Sequence, residues 1–245
     1  RIPPWAPSPF GPCRFRPLHF LPMAIGGLTI ALHGHLPYVL RHGVWPHGED
    51  WPYEAAAATY LPLPEVIGHC LLHDVPPRIV LGLTPVLIEQ LDHEVFKDGF
   101  DRYLADRIER AGQDRAEFEQ AGDGHLVYLA ERWVGIFQKL AEQFAELGRD
   151  IPAAFARHAQ AGHIQLLTSA ATHAYLPLLC EDSSIRAQMR AGVASSQRIL
   201  GSRPTGMWLP ECAYRPNGPW SPPVQWGDQH DRIGIEHIVA DEGVD

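Results

Sequence analysis

Four short apolar runs, each bounded by turn-forming residues, constrain this chain most: LTIALH (28–33), RIVLGL (78–83), HIQLLTSA (163–170) and TGMWLP (205–210). Such runs read as buried strands. Helical patterns lie between them. From Pro85 to Leu104 apolar residues return at helical spacing (Val86, Leu87, Leu91, Val95), and over 126–147 a longer stripe runs from Leu126 through Leu129, Trp133, Ile136, Phe137, Leu140 and Phe144 to Leu147. The charged segment 104–124, with Gly112, Gly122 and Gly124, reads as a helix end and a connecting turn. Residues 85–148 then form a helical excursion between two strands. Strands alternating with helices argue for an α/β domain with a mainly parallel sheet. The final segment, GIEHIVADEGV, puts Ile235, Ile238 and Val239 on one helix face with Gly243 as its C-terminal cap. A helix there leads to where a further parallel strand is expected, so a sheet of four strands is unfinished.

Composition narrows the classes. A hydrophobic content of 45% with 20% charged residues suits a soluble globular protein, and 245 residues can bury a sizeable core. The formal charge of −9, with no basic stripe, argues against a nucleic-acid partner. No apolar run reaches the roughly 18–20 residues that span a bilayer, so no membrane is expected either. The opening RIPPWAPSPFGPCRFRPLHFLP is rich in proline and lacks the apolar core of a signal peptide. Met23 then precedes AIGGLTIALHGH as a natural start would. Residues 1–22 are expected to be a disordered Pro-rich extension, and 23–245 one domain. Cys13, Cys70, Cys180 and Cys212 are scattered without a C-x-x-C pair, which fits reduced thiols in a cytoplasmic protein.

Chemistry-bearing residues gather where the runs end. In HGHLPY, His33 and His35 are two apart, so an extended backbone points both to one face. A His-x-His pair there can hold a divalent metal, can donate to a hydroxylated substrate, or can be satisfied by nearby carbonyls. His173 lies just past the third run. Glu211 follows Pro210, which lacks an N–H and ends the fourth run, so its carboxylate faces the same rim if the strands are parallel. Cys212 beside it reads as a small buried residue, since no local feature lowers its pKa. The segment after the first run carries Trp45, Trp51 and Tyr53, which either stack on sugar rings or anchor their loop to the core.

Taken together, HGHLPYV, the W-P-x-G-E-x-W loop, TSAATHAYLPLL and WLPECAYRP are similar, in order, to the motifs of glycoside hydrolase family 57, and most of all to its 1,4-α-glucan branching enzymes. The resemblance runs from about residue 28 to residue 245. It implies the N-terminal portion of an incomplete (β/α)7 barrel, left open here, and a retaining mechanism with no cofactor or metal, acting on an α-glucan such as glycogen, amylose or starch. Carried over by position, Glu211 matches the catalytic nucleophile. His33, His35 and His173 match histidines around the cleaved sugar, and Trp45 and Trp51 match aromatics lining the glucan path. The family's general acid, an aspartate of a later motif, has no counterpart, and Asp241, Glu242 and Asp245 on or beside the final helix are poor substitutes. The chain by itself is therefore expected to have little or no activity, and its open sheet edge to invite aggregation. An α-amylase or 4-α-glucanotransferase of the same family, a metal-dependent hydrolase using the three histidines, and an inactive glucan-binding protein are the alternatives.

Overall fold

Three of the four apolar runs pair as parallel strands, though each strand is shorter than its run. In the computed structural model, which describes residues 26–224 and 227–244, β1 (Ala31–Gly34), β2 (Val80–Leu83) and β3 (Gln165–Leu167) form a sheet in that order. Leu32 sits opposite Leu81, and Leu81 opposite Leu166. The expected extension 1–22, with Cys13, and Asp245 lie outside the described residues. The fourth run is not a strand. Thr168 N–H donates to the Gly206 carbonyl (3.1 Å) and Trp208 N–H to the Thr168 carbonyl (2.9 Å), a lone parallel bridge between Thr168 and Met207. Pro204 and Pro210 bracket the run and remove ladder donors, and Gly206 inside it weakens extended pairing. The sheet thus has three strands and a bridge. On its edge β1 has one neighbour among the described residues, and Leu28, just ahead of it, is 90% exposed.

Helices make up most of the molecule. Helix α1 (Asp50–Ala55) passes through a wide turn at Ala56–Tyr60 into α2 (Pro62–Leu72), which leads to β2. Between β2 and β3 lie α3 (Pro85–Asp92), α4 (Glu94–Ala121), α5 (Gly124–Glu146) and α6 (Ile151–Gln160). After β3 come α7 (Asp182–Leu200), the antiparallel pair β4 (Gly218–Trp220) and β5 (His230–Arg232), and α8 (Ile235–Asp241).

Two expectations for the helical excursion need correction. The charged segment 104–124 is no turn, because α4 continues unbroken to Ala121, where Gly122 ends it at φ 72°. Gly112 has open space around its Cα, and a solvated helix tolerates one glycine at a cost of about 1 kcal/mol. The break falls instead at His93, whose extended backbone (ψ 135°) and ring Nδ1, accepting from Val95 N–H at 3.0 Å, begin α4. The apolar spacing over Pro85–Leu104 is therefore shared by two helices. Helix α5 forms as expected, capped by the Asp123 carboxylate, but its stripe divides. Leu140 and Phe144 are buried, whereas Leu129, Trp133 and Ile136 stay well exposed, because α5 packs mainly on α4.

The main core joins the sheet to this helical layer through Leu81 and Leu83 of β2 and the fully buried Phe96, Phe100, Phe144 and Phe155. Phe100 and Phe144 meet edge to face at 4.9 Å, a favoured aromatic geometry. A second, smaller cluster (Ala170, Leu176, Ile185, Met189, Ile235, Ile238) packs α7 against α8. The expected face of α8 is thus the buried one, and Gly243 (φ 67°) follows its end. Among the described residues, no helix is long and apolar enough to cross a membrane.

Candidate active site

The end of β1 and two strained turns meet at one rim of the sheet. Period-two alternation sends His33 and His35 to one side, with ring centroids 6.4 Å apart. His173 enters from the turn after β3, where its N–H donates to the Ala170 carbonyl (3.0 Å) and its backbone is left-handed at φ 56°. Its ring stacks on His35 at 3.8 Å and lies 5.2 Å from His33. The Nε2 atoms of His33 and His173 are 3.2 Å apart.

Glu211 completes the cluster from a short turn, Pro210–Cys212, rather than from a strand end. Proline holds the preceding Leu209 extended (φ −64°, ψ 131°). The chain then reverses through two left-handed residues, Glu211 (φ 56°) and Cys212 (φ 54°), closed by Cys212 N–H to the Leu209 carbonyl at 2.9 Å. Left-handed backbone costs a non-glycine residue roughly 1–2 kcal/mol. His173, Glu211 and Cys212 carry it, three of the seven such residues among those described, so part of the backbone strain falls at this rim. The Glu211 carboxylate is 65% exposed, and its Oε1 lies 3.6 Å from His173 Nδ1. Among the described residues it is the one carboxylate whose charge acts on the three rings.

Electrostatics keep the rings neutral. Burial, then the His173 and His33 rings, push His35 down to about 4, against an opposing pull from Glu211. Burial also lowers His33 and, with His33 beside it, His173. The unfolded chain thus binds a proton at His35 near the ordinary 6.5 before the native chain does. Stability is expected to fall as pH drops from about 6.5 to about 4. An NMR titration of the His35 ring should show its midpoint near 4, and a midpoint at the ordinary histidine value would contradict this account.

The cluster is not built like a ligand sphere. His35 and His173 lie face to face instead of aiming nitrogens at one point. Among the described residues, no group of three or more His, Cys, Asp or Glu could hold a metal ion. Trp45 (78% exposed) and Trp51 (41% exposed) present open rings on the segment after β1, but no ring contact joins either to the histidines. Tyr53 is a core residue, its hydroxyl donating to Glu49 Oε2 at 3.2 Å, so it anchors the segment. Cys212 is exposed and free. Asp241 and Glu242 are taken up by Arg186 and Arg190 of α7 (2.8 Å each).

Three features escape the sequence. Trp208 stacks on His33 at 5.5 Å, and its carbonyl accepts from Ser169 Oγ at 2.7 Å. Thr84, wholly buried after β2, places Oγ1 3.2 Å from His35 Nδ1. The polar residue ending the second apolar run was the available signal. At the start of α7, Asp182 accepts from buried Arg232 (2.7 Å), from Arg215 (3.5 Å) and from Ile233 N–H (3.1 Å). No local pattern could have found that group.

Comparison with known proteins points to one family. The sequence profile of glycosyl hydrolase family 57 matches residues 29–245. The 1,4-alpha-glucan branching enzyme of Thermococcus kodakarensis is 37% identical over 221 residues, covering 89% of this chain and 31% of that enzyme. A probable 1,4-alpha-glucan branching enzyme of Mycobacterium tuberculosis is 34% identical over 202 residues, covering 78% and 38%. The crystal structure of the branching enzyme from Pyrococcus horikoshii superposes with a TM-score of 0.83 at 37% identity, over 88% of this chain and 40% of that one. The alpha-amylase AmyC of Thermotoga maritima gives a TM-score of 0.72 at 25% identity, over 88% and 38%. The chain therefore spans 31–38% of the length of these curated relatives.

Proposed function

The chain belongs to glycosyl hydrolase family 57, and on that premise we propose that it is the N-terminal part of an enzyme that cleaves α-1,4-glucan with retention and forms α-1,6 branches. One observation carries the reading. A lone carboxylate, Glu211, stands on a strained turn against His173 in a cluster of neutral histidines. In this reading Glu211 attacks the anomeric carbon, the α-1,4 bond breaks, and a covalent glycosyl-enzyme forms. The 6-hydroxyl of a second glucan then displaces the carboxylate, making the branch. Water at that step would give hydrolysis, so exclusion of water sets the outcome. His33, His35 and His173 line the subsite of the cleaved sugar, and the exposed Trp45 and Trp51 lie along the glucan path.

A retaining mechanism needs a second carboxylate about 5–5.5 Å from the first. Among the described residues Glu211 has no carboxylate partner at the histidine cluster, and Asp241 and Glu242 are engaged by arginines. We therefore place the general acid outside residues 1–245, in the length that the relatives have beyond the match. The parallel order β1-β2-β3, extended by the Met207 bridge, is the first arc of an incomplete (β/α)7 barrel in this reading. A second reading, α-amylase or 4-α-glucanotransferase, draws on the likeness to AmyC.

Amylose incubation followed by linkage analysis tests the proposal. Residues 1–245 alone should give little or no turnover. Joined to the remaining length of the Thermococcus kodakarensis enzyme, they should yield α-1,6 linkages. Turnover by the chain alone would refute the placement of the acid. Shortened α-1,4 products without branches from the joined protein would favour the second reading over branching.

A further inference from the structure

Three neutral imidazoles and one carboxylate have few ways to share their protons, and the contacts around them leave one. A neutral ring has one N–H and one lone pair. The Glu211 carboxylate can only accept, and the ring atom facing it is His173 Nδ1, 3.6 Å away. A lone pair there would meet the negative oxygen, so Nδ1 carries the proton. His173 Nε2 is then an acceptor, and its partner at 3.2 Å, His33 Nε2, must donate. That leaves His33 Nδ1 as a lone pair beside Gly82, where any Cβ would come within 3.2 Å of it.

His35 is set from the other side. Thr84 stands at the N-cap of α3 with extended backbone (φ −67°, ψ 143°), where a hydroxyl commonly accepts a helix N–H, yet it makes no capping bond. Its Oγ1 faces His35 Nδ1 instead, at 3.2 Å, and the residue is wholly buried. Were Nδ1 the donor, the buried hydroxyl proton would have no acceptor among the described residues. The hydroxyl therefore donates, and His35 keeps its proton on Nε2, which has no hydrogen-bond partner among the described residues. The neutrality this requires agrees with the downward pull of burial on all three rings.

We infer that the three histidines divide their work by tautomer: His33 (Nε2–H) and His173 (Nδ1–H) form a one-way relay that orients the Glu211 carboxylate, while Thr84 holds His35 (Nε2–H) as the ring with a free donor for a sugar oxygen. His33 and Thr84 are positioning residues, acting through His173 and His35. The sugar in this statement rests on the proposed function; the tautomers do not.

Nitrogen-15 NMR of the histidine rings in residues 1–245, at a pH well above their protonation, tests this without turnover. The expected spectrum has a pyrrole-type Nδ1 and pyridine-type Nε2 for His173, and the reverse for His33 and His35. Glu211→Ala should return His173 to the Nε2–H form. Thr84→Val should spread His35 over both tautomers with His173 unchanged, and Thr84→Ser should restore it. An Nε2–H form of His173 in the unsubstituted chain, or a His35 pattern unmoved by Thr84→Val, would overturn the inference. Should Thr84→Val fail to fold, the unsubstituted chain and Thr84→Ser still decide it. The expected tautomers in a protein whose joined form cleaves no glucan would leave this inference standing and remove the proposed function.

Discussion

Glu211→Gln is expected to lower glucan transfer by the joined protein by on the order of 10⁴-fold or more, the scale of losing a covalent nucleophile. Glutamine keeps the shape and volume of glutamate but cannot form the ester with the anomeric carbon. The side chain is 65% exposed and makes no hydrogen bond that holds the fold. Stability should therefore change by no more than about 0.5 kcal/mol, the usual range for a surface substitution. Both readings matter. A loss of activity accompanied by a collapsed melting transition would indicate only that the turn had been damaged. Activity kept within about tenfold of the parent would contradict the role of Glu211. Its strained backbone should stay put, because glutamine and glutamate share the same steric penalty at φ 56°.

Asp182→Ala carries the largest expected effect on stability. Asp182 begins α7 and accepts from two buried arginines, Arg232 and Arg215, and from Ile233 N–H. Burial works against its charge, yet the Ile233 N–H and the Arg232 guanidinium hold its carboxyl below the ordinary range. Arg232 is also braced by the Leu179 carbonyl (2.8 Å) and sits over the Trp220 ring (5.0 Å). Arg215 Nε and Arg232 Nη2 already lack partners among the described residues, so removing the carboxylate would leave Arg232 uncompensated and Arg215 with only Glu236. Breaking a buried ion pair from one side costs about 3–5 kcal/mol, and the partial solvent contact of Asp182 reduces this to about 2–4 kcal/mol. Urea unfolding measures it, and a change below about 0.5 kcal/mol would contradict the account. Arg215 follows Glu211 by four residues, and its carbonyl accepts from Ile235 N–H (3.1 Å). Loss of the group should therefore loosen the Glu211 segment as well as the fold.

What could be read in advance, and what could not, follows from the range of each interaction. The shared face of His33 and His35 is a property of two residues on one strand, so alternation alone exposes it. Pro210 marks the end of its run for an equally local reason, and Gly243 marks the end of α8. The fourth run failed as a strand because apolar character is necessary for pairing without being sufficient, and proline on both sides limits the ladder to one bridge. Helix α4 was hidden for the opposite reason. A two-helix hairpin packed mainly on itself needs no broad apolar stripe, so its charged, glycine-containing half resembles a connection. Thr84 stands where a helix cap commonly sits, and nothing local points to its contact with His35, 49 positions away. Asp182 and Arg232, 50 positions apart, have no local signature at all. Trp45, Trp51 and Tyr53 look alike in the sequence, and only packing separates the core Tyr53 from the two exposed tryptophans.

The central claim is that Glu211 becomes covalently bound to the sugar it cleaves. A fluorinated α-glucosyl donor, chosen so that its glycosyl-enzyme breaks down slowly, traps that species in the joined protein, and peptide mass spectrometry locates it. The account predicts one added glycosyl unit on the peptide containing WLPECAY (208–214), fragmenting to Glu211 and absent from Glu211→Gln. A sugar carried by any other residue, or steady turnover of amylose with no glycosylated peptide, would contradict it.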